Sequence, residues 1–195
     1  MKAKKLKLSL AICLMFAIGF GCKSTDNETK KDVLPAKVQL KLSSTSFDSG
    51  AMIPDKFTCQ VSKQIFPNLS WIGSKSQTKS FVLIADDPDA KQVVGYVWNH
   101  WLLYDIPSSV NSIGEGLDAS NPLPAGVKRG TTSFNDTMYG GPCPPPSQLH
   151  HYFFKLYELD VESLNVPANS NVAVIREAMK SHVLDSAEYV GLFQR

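Results

Sequence analysis

The chain has 195 residues with 20 basic and 18 acidic side chains, and four of the lysines, Lys2, Lys4, Lys5 and Lys7, fall in its first seven positions. Without residues 1–21 the balance is 16 basic against 18 acidic, a net charge of −2, so the nominal excess of positive charge belongs to the leader. No basic block remains downstream to serve a nucleic acid, and the roughly 160 residues after position 36 are enough for one domain with its own core.

In chain order, the lysines precede an apolar run of 13 residues, Leu8 to Phe20, too short for a membrane span and patterned as a secretory signal. Gly21 and Cys22 follow, the arrangement of a bacterial lipoprotein signal in which cleavage leaves Cys22 as an acylated first residue; an ordinary cleaved signal is the alternative. Lys23 stands where an acidic residue would retain such a protein in the inner membrane, which favours the outer membrane of the cell envelope. Residues 22–36 are polar and aperiodic, a flexible tether ahead of a domain spanning 37–195.

That domain reads mostly as strands. KVQLKL (37–42) alternates, with Val38, Leu40 and Leu42 on one face, and SFVLIA (80–85), HWLLYDI (100–106) and HYFFKLYEL (151–159) are apolar runs between turn signals. The turns recur too closely for crossover helices, so the sheets are expected to be largely antiparallel. In the tail, Val172, Ile175, Met179 and Val183 recur at helical spacing, which predicts a helix of about ten residues followed by a second short one.

Cys13 leaves with the leader, so Cys59 and Cys143 remain as a pair in an exported chain. They either form a disulfide or lie as two separate buried thiols. Three stretches concentrate reactive side chains at strand ends: DDPDA (86–90), VWNHW (97–101) and GGPCPPPSQLHHY (140–152). Strand alternation puts Trp98 and His100 on one face, with Asn99 and Trp101 on the other, and sends His150 and His151 to opposite faces. Four prolines in the five positions 142–146 stiffen the third stretch, either as a rigid surface turn or as the wall of a pocket.

Taken together, FTC (57–59), FPNLSW (66–71), TKSFVLIADDPDA (78–90), VWNHWLLYDIP (97–107), LPAGV (123–127), YGGPCPPP (139–146) and HHYFFKLYELD (150–160) resemble the phosphatidylethanolamine-binding protein (PEBP) family, also called the Raf kinase inhibitor-like family, in its bacterial branch. The tail AMKSHVLDSAEYVGLFQR (178–195) continues the likeness. The resemblance implies a mainly β fold of two packed antiparallel sheets with a few peripheral and C-terminal helices. It also implies a pocket for phosphate, phosphorylated head groups or carboxylates, formed by the residues matching Asp87, Asp89, Trp98, His100, Gly141, Pro142, His150 and Tyr152. The sequence departs from the family at Asn68, Lys91, Met138, Ser147, Gln148 and Ser181, mostly at the rim.

Each of these residues has a physical task in such a pocket. His100 and His150 offer N–H donors, Tyr152 an O–H, and the amides near Gly141 a close approach to an anion. Asp87 is expected to orient a histidine and raise its pKa, keeping the pocket cationic, while Asp89 holds the turn and Lys91 adds a cation at the mouth. The reading is a non-enzymatic binding protein for a small anion, with no cofactor and no metal, that modulates a partner enzyme in the manner of a kinase or protease inhibitor-like protein. Two rivals stand beside it. One is a hydrolase using Cys143 or a serine with His150 or His100 as base and Asp87 as orienter; the other is a metal site of Asp87, Asp89, His100, His150 and His151.

Overall fold

The computed structural model describes residues 39–116 and 122–195. The leader, Cys22 and the tether lie outside the described residues, as does Val38 of the first expected strand.

Three long strands carry the architecture: β3 (Ser80–Asp87), β4 (Trp98–Pro107) and β7 (Leu149–Leu159). β3 lies between the other two, antiparallel to both, and every one of its eight residues is buried. The sheet is completed by β9 (Val183–Gln194) beside β7, and by β6 (Lys128–Thr131) and β8 (Asn169–Asn171) beyond β4, in the order β8-β6-β4-β3-β7-β9. Within this sheet β6 and β8 pair in parallel and the other neighbours antiparallel. A second, antiparallel sheet of three short strands has the order β1 (Lys41–Ser43), β2 (Leu69–Ile72), β5 (Ser112–Ile113).

The two faces of the large sheet bury different partners because side chains alternate along its strands. One face, with Phe81, Leu83, Trp101, Leu103, Phe154 and Leu156, meets Leu69, Trp71 and Ile113 of the small sheet in the main core. The other face, with Val82, Ile84, Leu102 and Tyr104, is covered by Ile175 and Met179 of helix α2 (Val172–Met179). Asn171 starts that helix by accepting hydrogen bonds from the amides of Ala173 and Val174. The second short helix expected after it is absent: residues 183–194 form β9, paired with β7 along its whole length. Tertiary pairing overrides the apparent helical spacing there, and Tyr189 and Phe193, four apart, sit on the same core-facing side.

A further correction concerns Trp101. Ala85 of β3 pairs with Trp101 and Asp86 with Asn99, so His100 is an extra residue on β4, a β-bulge. The bulge resets the alternation. Trp101 packs against Phe66 in the same layer that His100 faces, while Asn99 turns the other way to Asp86.

A candidate anion-binding pocket at the end of the large sheet

β3 ends at Asp87, where the chain turns through DPDA into the single helical turn α1 (Lys91–Val94). Asp87 is 3% exposed and engages both carboxylate oxygens. Oδ1 accepts the Ala90 amide at 3.0 Å, and Oδ2 accepts from Nδ1 of His150 at 2.8 Å. The carboxylate thus closes the turn and fixes a histidine on the neighbouring strand at once. Asp89, expected to hold that turn, points outward instead. Its Oδ2 accepts from the His151 amide and from Nδ1 of His151, both at 2.8 Å. Burial raises the Asp89 pKa, but the His151 hydrogen bonds and charge outweigh it and leave the carboxyl below its ordinary value.

The bulge at the start of β4 aims His100 toward His150 and Tyr152 on β7, with its ring edge-on to Tyr152 at 5.2 Å between centroids. His100 is 5% exposed, and its Nδ1 donates to the Gly140 carbonyl at 2.6 Å, while the Gly140 amide donates back to the His100 carbonyl at 3.1 Å. Burial pulls its pKa down; the Gly140 hydrogen bond and the charges of Asp87 and Asp86 pull the other way and lose. At His100 desolvation thus outweighs the nearby carboxylates, and the histidine that Asp87 orients is His150.

The proline-rich stretch is anchored at five points. Gly140 is tied to His100 as described. The Gly141 amide donates to Gln64 Oε1 at 2.5 Å, the Pro142 carbonyl accepts the Cys59 amide at 3.0 Å, and the Ser147 amide donates to the Arg195 carbonyl at 2.9 Å. A disulfide joins Cys59 to Cys143. Of the two sequence readings, pocket wall and surface turn, the stretch does the first: Cys143, Pro144 and Pro145 face a cavity of about 190 Å³.

Asp87, Trp98, His100 and His150 line that cavity, and their polar groups converge from three different strands. Four expected ligand residues do not line it. Asp89 lies in an adjoining groove with His151, Gln92 and Gln148, because its carboxylate follows His151 to the other face of β7. Gly141 turns its amide to Gln64, and its lack of a side chain serves packing, since a Cβ there would lie 2.4 Å from the Phe57 carbonyl oxygen. Pro142 and Tyr152 form the closed layer behind His100. The Tyr152 hydroxyl is buried beside Asp87, and burial, then the Asp87 charge and hydrogen bond, drives its pKa upward. The five donors of the metal reading do not converge, since Asp89 and His151 pair outside the cavity; no group of three or more metal-ligating side chains is assembled among the described residues.

Part of the apolar wall, beyond Trp98 and the prolines, is not legible in the sequence. Phe134 meets Trp98 edge-on at 5.2 Å between centroids and His100 at 5.6 Å, and Val93 and Val94 of α1 close the mouth. Phe134 sits in the motif-free stretch TTSFNDT; its one signal is Gly140, where a Cβ would lie 2.2 Å from the Phe134 ring.

Comparison with known proteins agrees with this architecture. A UPF0098 protein of Aquifex aeolicus is 40% identical over 157 residues, covering 80% of this chain and 89% of its own, and one of Pyrococcus horikoshii is 34% identical over 194 residues, covering 98% and 90%. The crystal structure of Escherichia coli YbcL, described as a new member of the mammalian PEBP family, superposes with a TM-score of 0.74 at 27% identity, covering 80% of this chain and 99% of YbcL. A PEBP homolog from Chlamydia trachomatis gives a TM-score of 0.71 at 31% identity, covering 81% and 99%. Residues 43–194 match the family described as phosphatidylethanolamine-binding protein, and with the two-sheet fold already in hand, the chain belongs to that family, in its bacterial and archaeal UPF0098 branch.

Proposed function

We propose that this protein binds a small anion, a phosphate, a phosphorylated head group or a carboxylate, in the cavity at the end of the large sheet, without turning it over. The observation that carries this reading is the convergence of Asp87, His100 and His150 in a small cavity whose other walls are apolar and pinned. Apolar walls strengthen any hydrogen bond or charge contact formed inside. The family's description as phosphatidylethanolamine-binding supports a phosphate-bearing ligand.

A hydrolase needs a nucleophile beside the Asp87–His150 pair, and the sulfur of Cys143 is taken up in the disulfide. No serine hydroxyl is bonded to His100 or His150 among the described residues. The lysine-rich leader and Cys22 support export and lipid anchoring in a bacterial envelope, with the ligand-loaded domain acting on a partner enzyme; the last step rests on the family resemblance alone. Radiolabelled palmitate incorporation, lost on Cys22→Ala, tests the anchor.

The binding claim is tested by calorimetric titration of the full chain with phosphate, phosphoethanolamine and acetate, beside a His150→Ala variant. Saturable binding that weakens at least tenfold in the variant, about 1.4 kcal/mol, is expected. A folded chain that binds none of the three refutes it.

A further inference from the structure

We propose that the cavity takes up its anion together with one proton, held at Nε2 of His100, so that it selects small anions through a charge the site acquires only on binding. This rests on the anion-binding reading and specifies it.

The cavity has no permanent cation. Among the described residues no lysine or arginine side chain lines it, and its polar side-chain groups are one carboxylate, two imidazoles and the indole N–H of Trp98. Hydrogen bonding fixes the tautomers of both rings. A carbonyl oxygen only accepts, so the proton of neutral His100 lies on Nδ1, toward Gly140, and Nε2 carries a lone pair. Nδ1 of His150 likewise donates to Asp87, and its Nε2 faces Oε1 of Gln148 at 3.5 Å. An anion entering this arrangement alone would meet the Asp87 carboxylate and the lone pair on Nε2 of His100 against apolar walls, where uncompensated charge is expensive.

One protonation resolves the conflict. A proton on Nε2 turns that edge of His100 from acceptor to donor and supplies a positive charge, with Gly140 still holding the other edge. His100 is the ring placed to offer it, because its Nε2 meets no protein group and a proton there is free to donate to the anion, whereas one on Nε2 of His150 is shared with Oε1 of Gln148. The charged and titratable groups facing His100 are Asp86 and Asp87 from β3, His150 and Tyr152 from β7, and Tyr139 from the proline-rich loop. Burial holds both phenols protonated, so neither competes as an anion, and burial holds His100 neutral until a negative charge arrives beside it. Binding and protonation then favour each other reciprocally.

The test is titration of the full chain with sulfate, which is tetrahedral like phosphate but keeps one protonation state near neutral pH. Titrations at about pH 6 and about pH 8, each in two buffers of different ionisation heat, give affinity and proton uptake together. One proton taken up per sulfate is expected, with affinity falling up to about tenfold per pH unit, hence up to about 100-fold across the range. A His100→Gln variant, which cannot take the proton, is expected to lose both the uptake and the pH dependence. Sulfate bound equally at both pH values with no proton uptake overturns the proposal and leaves anion binding standing. Uptake that persists in the variant, or phosphate binding without sulfate binding, places the proton elsewhere and overturns the assignment to His100. Failure of sulfate and phosphate alike at both pH values removes the anion reading and the proposal with it. Where the variant fails to fold, the imidazole nitrogen resonances of the wild type decide: sulfate is expected to protonate Nε2 of His100, and protonation at His150 in its place overturns the assignment.

Discussion

Removing the Cys59–Cys143 cross-link tests how far the pocket wall depends on a covalent brace. The two cysteines are separated by 84 positions, and closing a loop of that length in the unfolded chain is worth about 4.5 kcal/mol in the chain-entropy model. Cys143 is exposed and Cys59 only half-buried, so replacing both by alanine removes the cross-link with little loss of packing. In urea, with a slope of about 2 kcal/mol per molar, the midpoint of the Cys59→Ala, Cys143→Ala variant is expected about 2 M below that of the oxidised chain. Reduction of the wild type should reproduce the shift. Gly140, Gly141 and Ser147 remain tied in the variant, so its phosphate affinity is expected to fall by less than tenfold, roughly 1.4 kcal/mol. A midpoint unchanged by loss of the bond would refute the reasoning, because the cross-link would then constrain nothing that unfolding releases.

Three other outcomes follow from the same geometry. Gly141→Ala drives a Cβ toward the Phe57 carbonyl and should destabilise the fold by about 1–3 kcal/mol, read by denaturant unfolding; an unchanged midpoint would mean that the loop has room to give. Asp87→Asn keeps an acceptor for Ala90 but turns an amide donor toward the donor Nδ1 of His150, so phosphate affinity is expected to drop at least tenfold by calorimetry, roughly 1.4 kcal/mol, and an unchanged affinity would contradict the pairing. Because the folded pKa of His100 lies below its unfolded value near 6.5, the unfolded chain binds more protons in that window, so His100 subtracts stability as pH falls below about 6.5. Unfolding midpoints against pH should therefore slope less steeply in a His100→Gln variant than in the wild type, and equal slopes would contradict burial of a neutral ring.

The three long strands were legible because each is an apolar run bounded by turn residues, and the motifs at their ends marked where the cavity would lie. Asp87, Trp98, His100 and His150 could be read from those motifs as one cluster. β9 was hidden behind Val172, Ile175, Met179 and Val183, whose spacing suits a helix. The competing signal was Ala187, Tyr189, Gly191 and Phe193, alternate residues on the side of the strand facing the main core. Strand alternation alone misplaces Trp101, because a bulge is set by the partner strand and leaves no mark on its own sequence. Asp89 and Gly141 share their motifs with the cavity residues, and only coordinates reveal that His151 and Gln64 take their polar atoms first. The neutrality of His100 depends on burial, which a motif does not state.

The central claim is that an anion sits between His100 and His150. The chain has four histidines, and two of them, His151 and His182, pair with acidic residues outside the cavity and serve as internal controls. The most direct measurement is a phosphate titration followed by the side-chain imidazole nitrogen resonances of all four. The account requires saturable shifts at His100 and His150 with one common dissociation constant, and little change at His151 and His182. Shifts confined to His151 and His182, or none at all in a folded chain, would contradict it.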